Sequence, residues 1–169
     1  YSSPSSSSNP SSSVSTYYKR FTDLSGGTDY TVTLTPLNKT GLSGQASIKI
    51  ITTLPNPIVL NKAGTDVDTI TISWDHSIGA TTYNYVLIQS SSKQVIKRDT
   101  LITPSTTPIP PFLLTFSGLN PGIAYNLTVT PINSMQLSGT PSSITVTTLP
   151  LQVILLSYSL VTTTGVTLS

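Results

Sequence analysis

Apolar and polar residues alternate along most of the chain, with a period of two. Ile70, Ile72 and Trp74 alternate with Thr71 and Ser73. Tyr83, Tyr85 and Leu87 follow the same rule, as do Tyr125, Leu127 and Val129 against Asn126, Thr128 and Thr130. Side chains of an extended strand point alternately to its two faces, so such runs are half-buried strands. Pro and Gly clusters punctuate them at short spacing: Pro55/Pro57, Gly79, Pro104–Pro111, Pro121-Gly122 and Gly139. No run has the spacing of a helix face. The pattern predicts an all-β chain, an antiparallel β-sandwich of about seven short strands per unit.

The chain also repeats itself. A shift of 95 residues lays Tyr30-Thr-Val-Thr-Leu-Thr-Pro36 on Tyr125-Asn-Leu-Thr-Val-Thr-Pro131, and Thr52-Thr-Leu-Pro55 on Thr147-Thr-Leu-Pro150. Residues 21–55 and 116–150 share 16 identities in 35 positions without a gap. Such self-similarity marks a modular array. It predicts a complete module over 56–150, the C-terminal strands of another over 17–55, and the N-terminal strands of a further one over 151–169. Leu54-Pro55-Asn-Pro57 and Leu149-Pro150-Leu151 are the expected links, too short for free swinging. Residues 1–16 hold ten Ser with Pro4 and Pro10, a Ser/Pro-rich low-complexity segment that cannot bury a core.

These residues resemble the fibronectin type III family. Ile72-Ser-Trp74-Asp is similar to the family's second strand with its Trp, and Ala80-Thr-Thr-Tyr83-Asn-Tyr85 to its third. Leu119-Asn-Pro121-Gly122-Ile-Ala-Tyr125 through Asn133 resembles the tyrosine-corner motif. Leu24-Ser-Gly-Gly27-Thr28-Asp-Tyr30 matches it too, with Gly26 in place of the proline. The resemblance implies a sandwich and a modular habit, not an activity. Trp74 is expected between the sheets. Tyr30 and Tyr125 are expected to bury their rings and return their hydroxyls to the backbone, with Leu24 and Leu119 beside them in the core.

Composition narrows the function. Charged residues are 8% of the 169, against roughly 25% in an ordinary soluble domain. There is one His, no Glu and no Cys, whereas 27 Ser and 29 Thr make a third of the chain. A net charge of +2 spread this thinly makes no phosphate-binding stripe, so no nucleic-acid partner is expected. General acid–base chemistry lacks its usual residues, so no enzyme, catalytic residue, cofactor or metal is expected. No run is long and apolar enough to span a membrane. The chain opens at Tyr1 without Met or signal peptide and reads as a piece of something longer.

Solubility then falls to hydroxyls or to sugars attached to them. Asn38-Lys-Thr40 and Asn126-Leu-Thr128 are sequons, Asn9-Pro-Ser is excluded by its proline, and Asn133-Ser-Met lacks the hydroxyl. Ser3, Pro4, Ser5, Pro10 and Ser11 in the first segment are candidates for O-glycosylation or hydroxyproline. So are Thr103, Pro104, Thr107 and Pro108, at the same place of the complete module. Such tracts resemble mucin-like stalks and the hydroxyproline-rich glycoproteins of plant and algal walls. Asp66, Asp68 and Asp75 read as turn caps rather than calcium ligands, and His76 as a turn histidine. Lys93, Lys97 and Arg98 read as protection of an edge strand. Val86 and Ile88, joined by Ile48 or Ile51 depending on register, give one sheet a partly apolar outer face. The repeat pairs Lys49 with Ile144, which requires a bulge or an inward lysine.

The expected function is a structural, extracellular glycoprotein of tandem sandwiches that forms a rod or fibre. Its partners are itself, head to tail, and covalent glycans. Residues 17–55 expose an apolar face built from Phe21, Leu24, Tyr30, Val32 and Leu34, and 151–169 one that includes Val153, Leu155, Val166 and Leu168. Each half lacks much of what the other has, so strand complementation is one way to join copies; a window of a longer array is the other. A spacer of a secreted polysaccharide-degrading enzyme and an adhesin or receptor ectodomain are the alternatives.

Overall fold

The computed structural model describes residues 16–105, 108–153, 158–162 and 164–168. Strands are their only regular elements. β1 (Asp29–Leu34) and β2 (Ser47–Thr52) make a hairpin. β3 (Asn61–Thr65), β4 (Ile70–Trp74) and β7 (Phe112–Phe116) form a three-stranded sheet in the order β3-β4-β7. β5 (Thr82–Gln89), β6 (Val95–Ile102), β8 (Ala124–Ile132) and β9 (Ser142–Thr147) form a four-stranded sheet in the order β6-β5-β8-β9. β10 (Tyr158–Thr162) and β11 (Gly165–Leu168) make a second hairpin. Every pairing is antiparallel.

The two larger sheets enclose one core, which makes β3–β9 an antiparallel β-sandwich. Ile70, Ile72, Trp74 and Phe116 come from the three-stranded sheet. Tyr83, Tyr85, Leu87, Tyr125, Leu127, Val129 and Val146 face them from the other. Trp74 is 1% exposed, stacked on Phe112 at 5.3 Å between ring centroids and edge-on to Tyr83 at 5.7 Å. Its indole N–H has no acceptor among the described residues, and the ring sits within the apolar core. Leu119 is buried beside Tyr125, whose hydroxyl accepts the Asn120 N–H at 3.0 Å. Tyr83 closes the corner before β5 in the same manner, accepting the Ser77 N–H at 2.8 Å.

Hairpin β1–β2 has its own corner but no cover. The Tyr30 hydroxyl accepts the Ser25 N–H at 2.8 Å, yet the ring is only half-buried. Leu24, expected in a core beside it, is 43% exposed. The reason is non-local: its counterpart Leu119 is covered by the three-stranded sheet, and no described strand lies over Leu24.

The β1–β2 register also decides two open expectations. It runs without a bulge and pairs Val32 with Lys49, so Lys49 points to the same face as Tyr30 and Val32. Ile48 and Ile50 therefore point outward with Thr31 and Thr33, at 66% and 64% exposure, while Ile51 stands inward opposite Tyr30.

Candidate interaction surfaces

The open face of β1–β2 is an unpartnered apolar feature among the described residues. Phe21, Leu24, Tyr30 and Val32 line a hollow of about 310 Å³. Tyr17, Tyr18, Leu34 and Ile51 extend it with a second of about 470 Å³, which shares Phe21 and Val32. Leu34 is 71% exposed. Of the residues expected on the complementary face, Val153 is exposed, and Leu155 lies outside the described residues. Val166 and Leu168 fall on β11.

A second feature ties this hairpin to the sandwich, and it involves residues that alternation does not single out. Asn133, in the turn between β8 and β9, is completely buried. Its Oδ1 accepts the N–H groups of Met135 (3.0 Å) and Leu137 (2.8 Å), and its Nδ2 donates to the Thr53 carbonyl at 3.1 Å. On the opposite side of the joint, Gly27 (φ 58°) lies against Gly79 (φ 84°) so closely that a Cβ on either would overlap the other's backbone. The Asn56 N–H donates to the Ile78 carbonyl at 3.1 Å, and the Ser77 hydroxyl to the Asn56 carbonyl. Pro55 is buried within this joint. The signal in the sequence was the repeat itself, because Asn133, Thr53 and Pro55 all belong to its identical positions. Alone, Asn133 looked like a failed sequon.

The other singled-out residues are spread over several strands and turns. Asn126 sits in β8, flanked by β5 and β9, half-buried on the outer face, with its Nδ2 donating to Thr145 Oγ1 at 3.0 Å. Asn38 lies exposed in the turn between β1 and β2. Ser3, Pro4, Ser5, Pro10, Ser11 and Thr107 lie outside the described residues. Pro104 and Pro108 are exposed, whereas the Thr103 hydroxyl is taken up by the Ala80 carbonyl at 3.2 Å.

Asp66 caps its turn, its carboxylate accepting the Val67 N–H at 2.7 Å. Among the described residues, no three of His, Cys, Asp and Glu come together as a metal site. His76 Nδ1 stands 3.1 Å from the Tyr83 hydroxyl, and burial holds the imidazole below its ordinary pKa. Burial pushes the Tyr83 hydroxyl up, opposed by the Ser77 bond, and pushes Tyr85 up with help from the charge of Asp99. Lys93 holds the β5–β6 turn at φ 59°, and Lys97 and Arg98 lie on edge strand β6. Val86 and Ile88 are half-buried on the outer face of β5, with Arg98 directly opposite Val86.

No helix of the described residues is long and apolar enough to cross a membrane. No family model and no curated protein matches the chain. Among solved structures the chain is similar to a computationally redesigned β-sandwich protein, with 19% identity and a TM-score of 0.45 over 59% of this chain and 93% of that one. It is also similar to the fn3 domain of the human collagen alpha-1(XX) chain, with 20% identity and a TM-score of 0.46 over 69% of this chain and 97% of that one.

Proposed function

We propose that the chain belongs to an extracellular, non-enzymatic structural glycoprotein whose sandwich modules follow one another in a linear file and build a rod or fibre. The observation that carries the reading is the open Tyr30 face beside a finished sandwich. β1–β2 has the tyrosine corner of β8–β9, but no sheet among the described residues covers it. A hairpin without cover is marginal in water. The natural cover is a pair of early strands. Hairpin β10–β11 follows Leu149-Pro150 as β3–β4 follows Leu54-Pro55. Laying β10–β11 of one copy on β1–β2 of the next is a head-to-tail contact, which propagates into a filament when it does not close. Sugar on Asn126 and on the Ser/Pro tracts would supply the solubility that 8% charge does not.

Sedimentation velocity of 1–169 and 1–150 side by side tests the assembly. The longer chain is expected to form concentration-dependent linear oligomers, and the shorter one is expected to stay monomeric. A monomeric 1–169 at high concentration, or equal polymerisation of 1–150, rejects complementation by β10–β11.

A further inference from the structure

We propose that the Pro36–Gly44 turn is a docking socket for the Thr147–Pro150 segment of a second copy of the chain, and that a glycan on Asn38 excludes its occupation. The proposal rests on the head-to-tail reading above and fixes where the joint closes.

The two β-turn regions are built alike. In one, the Asn38 N–H donates to the Leu42 carbonyl (2.9 Å), the Gly41 N–H to the Asn38 carbonyl (3.0 Å) and the Gly44 N–H to the Pro36 carbonyl (2.8 Å). In the other, Asn133 donates to Leu137 (3.1 Å), Gln136 to Asn133 (3.0 Å) and Gly139 to Pro131 (2.8 Å). Asn38 Oδ1 accepts the N–H groups of Thr40 (3.0 Å) and Leu42 (2.9 Å), as Asn133 Oδ1 accepts those of Met135 and Leu137. With Oδ1 committed to the turn, Nδ2 is the atom left to donate outward.

What differs is the occupant. At Asn133 the Nδ2 meets the Thr53 carbonyl, and a Cβ on Gly139 would come within 2.9 Å of the Pro55 carbonyl oxygen. At Asn38 the same positions, Pro36, Leu37, Asn38, Leu42, Ser43 and Gly44, line an open hollow of about 380 Å³. The turn has its form without an occupant, so the socket is preorganised and little is lost in ordering it.

The segment that fits is also duplicated. The Thr53 N–H donates to the Thr28 carbonyl (3.1 Å), the Thr28 N–H to Thr53 Oγ1 (3.0 Å), and the Gly27 N–H to the Leu54 carbonyl (3.0 Å). Thr148 repeats this with Ile123 (3.1 Å in both directions), and Gly122 with Leu149 (3.0 Å). Yet Pro55 is buried and Pro150 is exposed. Thr147–Pro150 precedes β10–β11 as Thr52–Pro55 precedes β3–β4. Placing β10–β11 over β1–β2 of a second copy therefore carries the Thr148 carbonyl to Asn38.

The sequon adds a consequence. N-glycosylation replaces one Nδ2 proton by the anomeric carbon of an activated sugar diphosphate, and the diphosphate leaves with the proton. The product has a saccharide where the linker must lie, so a glycan on Asn38 ends the file at that copy.

Asn38→Asp is the decisive variant, because it keeps the acceptor that forms the turn and puts a negatively charged acceptor oxygen in place of the outward donor. In sedimentation of the full chain it is expected to weaken assembly roughly tenfold, the scale of losing one buried hydrogen bond. Equal assembly of variant and native chain overturns the socket and leaves complementation standing. A separate arm covers a native chain that does not assemble. The ¹⁵N-labelled full chain is titrated with a synthetic peptide of residues 146–152. Shifts of the Asn38 side-chain amide and the Gly44 N–H, with the Gly44 shift lost in Asn38→Asp, support the socket even if complementation fails. No shift at millimolar peptide overturns it.

Discussion

Hairpins β1–β2 and β8–β9 share their turn, their tyrosine corner and their threonine latch, and differ almost entirely in burial. Tyr125, Leu119 and Asn133 are shielded from water, while Tyr30 is half-exposed and Leu24 and Asn38 are open. The hydrogen bonds within each hairpin are local and form wherever the sequence recurs. Burial is supplied by partners far away in the chain: the three-stranded sheet for Tyr125 and the Thr53–Pro55 linker for Asn133. The same residues are thus core in one place and exposed in the other. Lys49 fits this difference. On the inward face of β2, where β9 has Ile144, a lysine discourages indiscriminate pairing of an open edge.

The largest expected effect breaks the covered side of the comparison. Trp74→Ala removes the stacked and edge-on ring contacts at the centre of the sandwich and should cost about 3–5 kcal/mol. A module with a total stability of about 5–15 kcal/mol loses much of it. Phe21→Ala on the open side should cost under about 1 kcal/mol in a monomeric chain, as exposed positions do. Denaturant midpoints at unchanged slope measure both. Similar losses at Trp74 and Phe21 would show that the hairpin is covered in solution.

A smaller pair sharpens the same contrast at one atom. Tyr125→Phe leaves the Asn120 N–H without its acceptor at a partly buried corner and should cost about 1 kcal/mol. In Tyr30→Phe water replaces the lost hydroxyl at Ser25, so the cost should be about 0.5 kcal/mol or less. Equal losses in equilibrium unfolding would mean the corners are equally shielded.

Alternation and the tyrosine-corner motif made most of this legible beforehand. The inward rank of Ile70, Ile72, Trp74, Tyr83, Tyr85 and Leu87 follows from period two, because a sheet face is a local property of a strand. The β2 register was not legible, since Ser47-Ile-Lys-Ile-Ile-Thr52 offers apolar residues to both faces and leaves the choice to pairing with β1. Nor was the joint. Gly79 looked like a turn separator, and its need for no side chain arises only where Gly27 reaches it across some fifty residues.

The smallest effect concerns pH, and it too separates the two hairpins. Burial depresses the His76 pKa below its ordinary value of 6.5. Between that lowered value and 6.5 the unfolded chain holds a proton that the folded chain does not. Stability of the sandwich is therefore full above about pH 6.5, falls as pH drops through the window, and levels off below the folded pKa. In the tautomer with Nδ1 unprotonated, the Tyr83 hydroxyl accepts the Ser77 N–H and donates to the ring. Hairpin β1–β2 carries no histidine, so Tyr30 resonances should not move over this range while those of Tyr83 do. His76→Gln should abolish the slope of the denaturant midpoint between pH 7.5 and 5.5. If the slope survives in that variant, the proton binds elsewhere and the corner at Ser77 plays no part in it.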